Sequence, residues 1–187
     1  LGLQQARQYS LSDAPNSRTY RITVKREADS AAYGPDSAGY VSNLLHDHFN
    51  KGDTVQVTPP FGHFHVAMAA TTPVVLISGG VGLTALVSML KAVLRNTGRE
   101  VVFVHGTENS AVHAMRQRLS AVAETNPRFT NIVFYENPLP LDDQGYDFHF
   151  TGRVDLQKIS GEVIRPDADY YICGPVPFIQ AQVKSLK

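Results

Sequence analysis

Cysteine is almost absent from this chain: Cys173 is the only one among 187 residues. A single thiol excludes an intrachain disulfide, and it excludes a Cys₄ iron–sulfur or zinc site built from this chain alone. A reducing compartment is the natural setting, so a cytoplasmic location is expected. Net charge is lacking as well. Seventeen basic residues balance seventeen acidic ones. A nucleic-acid or anionic-membrane surface usually needs a basic excess, so neither partner is expected. No apolar run reaches the ~18–20 residues of a membrane span, and the best stretch, around residues 73 to 90, is broken by glycines. The first residues lack the basic-then-apolar order of a secretory leader. There is no internal repeat, no low-complexity tract and no nucleophile-elbow motif.

What the chain does have is enough apolar residue, 43%, to bury a proper core in one large domain or two small ones. Its pattern changes near Thr71. Residues 1–70 read as β-rich. Tyr20–Arg26 alternates apolar and polar residues after the turn formers Asp13–Ser17, Thr54–Thr58 alternates again, and Phe64 and Val66 suggest another short strand. One helix, Val41–Phe49, interrupts them, and the small polar stretch Ala28–Gly39 reads as a loop. From residue 71 to 187 strands and helices alternate. Strands are expected at Val74–Ile77, Val101–His105, Ile132–Tyr135 and Tyr170–Cys173. Helices are expected at Thr84–Arg95, Ala111–Glu124, Asp155–Ile159 and Phe178–Leu186, and a long loop at Asn137–Arg153. This order predicts an α/β fold with a doubly wound parallel sheet.

The most telling stretch is Thr72–Leu90. A buried strand runs into Ser78-Gly79-Gly80-Val81-Gly82, and a helical pattern follows at once. Such a turn holds phosphate against backbone N–H groups at a helix start. Gly79 and Gly80 are expected to turn the chain through φ values other residues avoid. Gly82 should clear space for a pyrophosphate, Thr84 should cap the helix or meet phosphate, and the small Ala85 should let helix and sheet pack closely. The competing reading is a tight turn with no ligand. The acidic residue expected ~20 positions on, for ribose hydroxyls, is not cleanly placed. Glu100 precedes the second strand and Glu108 comes late. Arg116 and Arg118 suit a 2′-phosphate or, more plainly, a solvated helix face, so NADH and NADPH both stay open.

Two further constellations stand out. Tyr170–Cys173 ends at Gly174-Pro175, which puts a thiol at the carboxyl edge of the sheet, where ligands of open α/β sheets bind; a buried small hydrophobe is the plain alternative. Arg7-Gln8-Tyr9-Ser10 alternates along an expected strand. It offers a guanidinium to phosphate and a ring to a flat heterocycle. The pairs His46/His48 and His63/His65 have no third ligand at supporting spacing, and no metal site is expected.

Six blocks in order, RQYSLSDAP from Arg7, YRITVKRE from Tyr20, GYVSNLLHD from Gly39, LISGGVGLT from Leu76, VFVHGTENSAVHAMR from Val102 and DYYICGPVPF from Asp169, together resemble the ferredoxin–NADP reductase superfamily. Within it they resemble the reductase part of flavohaemoglobins, the bacterial nitric oxide dioxygenases. The resemblance covers essentially the whole chain. It implies part of an antiparallel FAD-binding β-barrel over 1–70 and an NAD(P)-binding α/β domain over 71–187. It implies a flavoprotein oxidoreductase that passes hydride from NAD(P)H to FAD and electrons to haem in a globin domain in cis, for oxidation of nitric oxide to nitrate. A stand-alone electron-transfer reductase with another acceptor, or a non-catalytic nucleotide-binding fragment, are the alternatives.

By that resemblance Arg7 pairs with the FAD pyrophosphate, with Gln8 beside it. Tyr9 packs on the flavin and Ser10 lies near its N5. Gly39, Val41 and Ser42 cradle FAD phosphates. Gly79, Gly80, Val81, Gly82, Leu83 and Thr84 bind the NAD(P)H pyrophosphate, and Cys173, Gly174 and Pro175 flank the nicotinamide. Ser10 and Cys173 are the residues implied to align the reacting atoms; His105, Gly106 and Asn109 would sit by the adenosine half. The sequence departs from the family at Ala85, where proline is usual. It opens at Leu1 and stops at Lys187 without helix or strand punctuation, so it reads as a fragment without its first barrel strands, its last strand and an aromatic tail. Weak or no FAD binding is expected of the fragment.

Overall fold

The computed structural model describes residues 6–27 and 39–187; most of the expected loop at 28–39 lies outside them. The first helix, α1 (Tyr40–His48), precedes an alternating series. It runs β1 (Val74–Gly79), α2 (Leu83–Asn96), β2 (Val101–Thr107), α3 (Arg116–Thr125), β3 (Phe129–Tyr135), β4 (Phe150–Thr151), α4 (Ser160–Val163), β5 (Asp169–Cys173) and α5 (Val176–Ser185). Five parallel strands lie in the order β4-β3-β2-β1-β5. β1 lies between β2 and β5 and is buried along its whole length. A strand covered on both faces must be apolar at consecutive positions, which is why Val74-Val75-Leu76-Ile77 shows no alternation.

Successive side chains of a strand point to opposite faces, so β1 and β2 feed two cores. Val74, Leu76, Val101 and Phe103 pack with Leu86 and Leu90 of α2 and Leu119 of α3. Val75, Ile77, Val102 and Val104 pack with Leu156, Ile159, Val163 and, on α5, Phe178. The chain thus winds outward from β1 to β4 with α2 and α3 on one face. It then returns to β5, on the other side of β1, with α4 and α5 on the opposite face. The reversal falls between β1 and β5, and the carboxyl ends of those two strands flank the crevice where open α/β sheets take ligands.

Arg99 fastens the opposite, amino-terminal edge. Its side chain is 2% exposed. Its guanidinium donates to the Ala67 carbonyl at 2.9 Å, the Thr72 carbonyl at 2.5 Å and the Asp169 carboxylate at 2.5 Å. One planar fork therefore joins the chain entering β1 to the start of β5, with its donors matched by acceptors.

Three differences from the sequence reading have physical causes. α3 starts at Arg116, not Ala111, because the ring of His113 is buried beside the sheet and Met115 takes φ 60° to allow it. β4 lies inside the expected loop 137–153, since two residues carry no periodicity. Tyr20–Arg26, Thr54–Thr58 and Phe64–Val66 form no ladder among the described residues; Leu11 and Ile22 make one antiparallel bridge. Alternation encodes a half-buried face, whereas a strand also needs a hydrogen-bonded neighbour. Val57, 75% exposed, has no such cover here.

Candidate functional site: a cleft between two glycine turns

At the end of β1 the chain enters one turn of 3₁₀ helix, Gly80–Gly82, and α2 begins at Leu83. Gly80 has φ 53°, so it occupies the left-handed region that disfavours a Cβ. Gly79 does not: its φ is −117°. Its missing side chain makes room for Phe178, whose ring a Cβ would meet at 3.1 Å. Gly82 is tighter still. A Cβ there would lie 2.3 Å from the Cys173 carbonyl oxygen. Close approach of the end of β5 therefore excludes a side chain at Gly82, which also lines the cleft described below. The expected side-chain cap by Thr84 is not formed; its hydroxyl donates to the Val81 carbonyl at 3.0 Å.

These turns form one wall of a cleft of about 660 Å³. The opposite wall is Arg7, Gln8, Tyr9 and Ser10 with Thr23, Lys25 and Glu27; Gly39, Val41 and Ser42 close one side, and Cys173, Gly174 and Pro175 stand beside Gly79–Gly82 and Thr84. Of the expected site residues, Leu83, His105, Gly106 and Asn109 are absent from the lining; Leu83 is 2% exposed and belongs to the core. Five stretches spread over the sequence thus meet in one place. Arg7 and Tyr9 were expected on the face opposite Gln8 and Ser10, yet all four line the cleft.

Thr23, Lys25 and Glu27 went unread. Thr23 and Lys25 occupy alternate positions of Tyr20–Arg26, and Glu27 continues the same face one residue beyond it.

The cleft favours anions at two points. α1 opens at Gly39, where the Ser42 hydroxyl donates to the Gly39 carbonyl at 2.9 Å, and α2 opens at the glycine turn. Helix starts present free N–H groups and a positive dipole end, and Arg7 adds formal charge, while Lys25 is paired with Glu27 at 3.5 Å. The two helix starts, the left-handed glycine and Arg7 fit phosphates of two nucleotides. Burial raises the Cys173 thiol above its ordinary value, so it is a neutral contact surface at physiological pH and not a thiolate nucleophile. Burial also raises the Tyr9 phenol, against the lowering effect of Arg7.

His105 lies outside the cleft. It is fully buried, its Nδ1 2.7 Å from the Ser78 hydroxyl and its ring 4.9 Å from that of His113. His113 Nδ1 is 2.9 Å from the Tyr135 hydroxyl. Burial first holds these histidines neutral, His105 down to about 3 and His113 down to about 4; repulsion from a proton on His113 adds to it at His105, and the Arg116 guanidinium adds to it at His113. The expected adenosine contact by His105 is replaced by a place in the core behind the glycine turn. Glu100 pairs with Arg165 at 2.8 Å, away from the cleft. Arg116 pairs with Asp147, and with Arg118 it lines a separate hollow of about 360 Å³. No three His, Cys, Asp or Glu side chains among the described residues converge on a metal position. No described helix is long and apolar enough to cross a membrane.

A parallel sheet whose glycine turn faces an arginine- and tyrosine-bearing segment across one cleft defines a dinucleotide-binding reductase. The family model of the oxidoreductase NAD-binding domain matches residues 76–184. A flavohemoprotein of Rhizobium meliloti (strain 1021) is 56% identical over 97% of this chain and 44% of its own length. A flavohemoprotein of Bordetella pertussis is 50% identical over 100% of this chain and 45% of its own length. The crystal structure of the flavohem-like FAD/NAD-binding domain of nitric oxide dioxygenase from Vibrio cholerae O1 biovar El Tor superposes with a TM-score of 0.80. It is 34% identical and covers 96% of this chain and 70% of that one. The chain belongs to the oxidoreductase NAD-binding family, within its flavohaemoprotein branch. It spans less than half the length of the curated relatives it matches.

Proposed function

We propose that this chain is the FAD- and NAD(P)H-binding reductase portion of a flavohaemoprotein that oxidises nitric oxide to nitrate with O₂, working in the cytoplasm with a globin domain in cis. Residues 1–70 would supply the flavin side and residues 71–187 the nicotinamide side. The observation that carries this reading is the convergence of Arg7–Ser10, Gly39 with Val41 and Ser42, Gly79–Gly82 with Thr84, and Cys173–Pro175 on one cleft.

NAD(P)H and FAD, when bound, supply the hydride and electron-transfer chemistry. The protein's share is binding, orientation and exclusion of water. Backbone N–H groups of Gly80–Gly82 and the α2 start would hold one pyrophosphate, and Arg7 with the α1 start the other. Tyr9 offers a ring face to a flat heterocycle, and Ser10 a hydroxyl. The neutral Cys173, with Gly174 and Pro175, would press the nicotinamide toward that ring. No side chain needs to gain or lose a proton for hydride to pass.

Anaerobic mixing of the full-length protein with NADH tests this directly. Loss of flavin colour followed by haem reduction is the expected result, with nitric oxide consumed once O₂ is admitted. Arg7→Ala should lower bound FAD. FAD reduction with no haem in the parent chain would select a reductase with another acceptor. NADH binding without flavin reduction would leave a nucleotide-binding module.

A further inference from the structure

The two walls of the cleft come from different parts of the chain, and something must hold them at one separation. Asp13 lies three residues beyond Ser10 and is clamped against α2. Its carboxylate accepts from the Lys91 ammonium at 2.7 Å and from the Ala14 N–H at 3.0 Å, and Arg21 stands 3.6 Å away. Its backbone carbonyl accepts from the Ser88 hydroxyl at 3.0 Å. Ser88 and Lys91 are three residues apart and share a helix face. The turn is packed on either side of Asp13, with Ser12 fully buried and Ala14 3% exposed. Arg21 returns to it through the Ser12 N–H to Arg21 carbonyl bond of 2.8 Å.

α2 is the helix that starts at the glycine turn. Lys91 therefore stands about 12 Å along a rigid rod from Leu83, at 1.5 Å per residue. Asp13 stands at most about 10 Å of chain from Ser10. A short path from one cofactor wall to the other runs through this side-chain pair and one hydroxyl. Parts of a chain joined by a modest polar interface move relative to one another by default. Hydride transfer tolerates such motion poorly, since a misplacement of about 1 Å can cost a hundredfold in rate.

From this we infer that Asp13, Ser88 and Lys91 are positioning residues for hydride transfer: the tie they form sets the separation of the flavin and nicotinamide walls. The inference rests on the proposed reductase function. None of the three residues lines the cleft, so they act through the elements they join.

The test uses the full-length holoprotein. Hydride transfer is followed by stopped-flow flavin absorbance at saturating NADH, beside FAD content and NADH affinity. Lys91→Met, which keeps the packed stem, should slow hydride transfer at least tenfold while FAD content and NADH affinity stay within twofold of wild type. Lys91→Arg should restore the rate to within threefold. Ser88→Ala, a milder change that serves if Lys91→Met does not fold, should slow transfer about threefold. Wild-type rates in Lys91→Met and Ser88→Ala overturn the inference, as does a rate that falls only in step with lost FAD. A wild-type protein whose flavin NADH does not reduce overturns the functional reading and this inference together, and that is seen before any variant is examined.

Discussion

Gly82 and Cys173 are in backbone contact: a Cβ on Gly82 would lie 2.3 Å from the Cys173 carbonyl oxygen and 2.9 Å from the Gly174 nitrogen. The turn after β1 and the turn after β5 are thus a single packed unit. What moves one moves the other.

Gly82→Ala tests this contact. Its new methyl meets backbone on a neighbouring strand, which cannot rotate away as a side chain can. Stability should fall by about 1–3 kcal/mol, the usual cost of overpacking, or somewhat more. NADH affinity should fall with it. Denaturant unfolding beside NADH titration checks both, with Gly98→Ala, where a Cβ meets nothing within 4 Å, as the control.

Gly80 should respond differently. A Cβ there also meets nothing within 4 Å, yet φ is 53°. Gly80→Ala is expected to cost about 1–2 kcal/mol through backbone conformation alone. Gly80→Asn should recover part of that loss, because asparagine visits the left-handed region more readily. Equal stability for the two variants would point to crowding instead.

The buried histidines predict an acid-sensitive core. His105 is held at about 3 and His113 at about 4, against about 6.5 in an unfolded chain. Between these values the unfolded state binds protons that the folded state refuses. Stability therefore falls as pH drops below about 6.5, and this loss stops only below the folded values. Each histidine adds at most about 1.4 kcal/mol per pH unit to that slope. Urea unfolding from pH 7 to pH 4.5 should show a shallower slope in His113→Asn than in wild type.

Arg99→Met should be the costliest change at the amino-terminal edge. It removes the guanidinium donors from the Ala67 and Thr72 carbonyls and from the Asp169 carboxylate, which keeps only the Thr72 hydroxyl, at 3.0 Å. Breaking a buried pair costs about 3–5 kcal/mol. The low end is expected, because the Asp169 side chain is 35% exposed and water can cover part of it. Arg165→Met, which breaks a pair whose Glu100 side chain is 62% exposed, should cost about 1 kcal/mol or less. Thermal unfolding of the two variants compares them.

Much of the α/β layer was legible before any coordinates. Val74–Ile77 and Val101–His105 are long apolar runs between clear turn signals, and their strands and the following α2 fell where expected. The site was legible as separate pieces: a glycine turn, a thiol before Gly-Pro, an arginine–tyrosine strand. Thr23, Lys25 and Glu27 escaped because an alternating strand does not say which face looks into a cleft. The start of α3 escaped because a buried ring, His113, overrode local helix preference.

Local order in the sequence determined the elements, since periodicity and glycine placement act over a few residues and need no distant partner. Tertiary structure alone decided why each glycine is there. Gly79 yields to Phe178, Gly82 to the Cys173 carbonyl, and Gly80 to its own backbone angle, and the first two neighbours lie about a hundred residues downstream. It also decided that Asp13 should meet Lys91 and that His105 should face inward. Such contacts depend on which strands become neighbours, and strand order is a property of the whole folded chain.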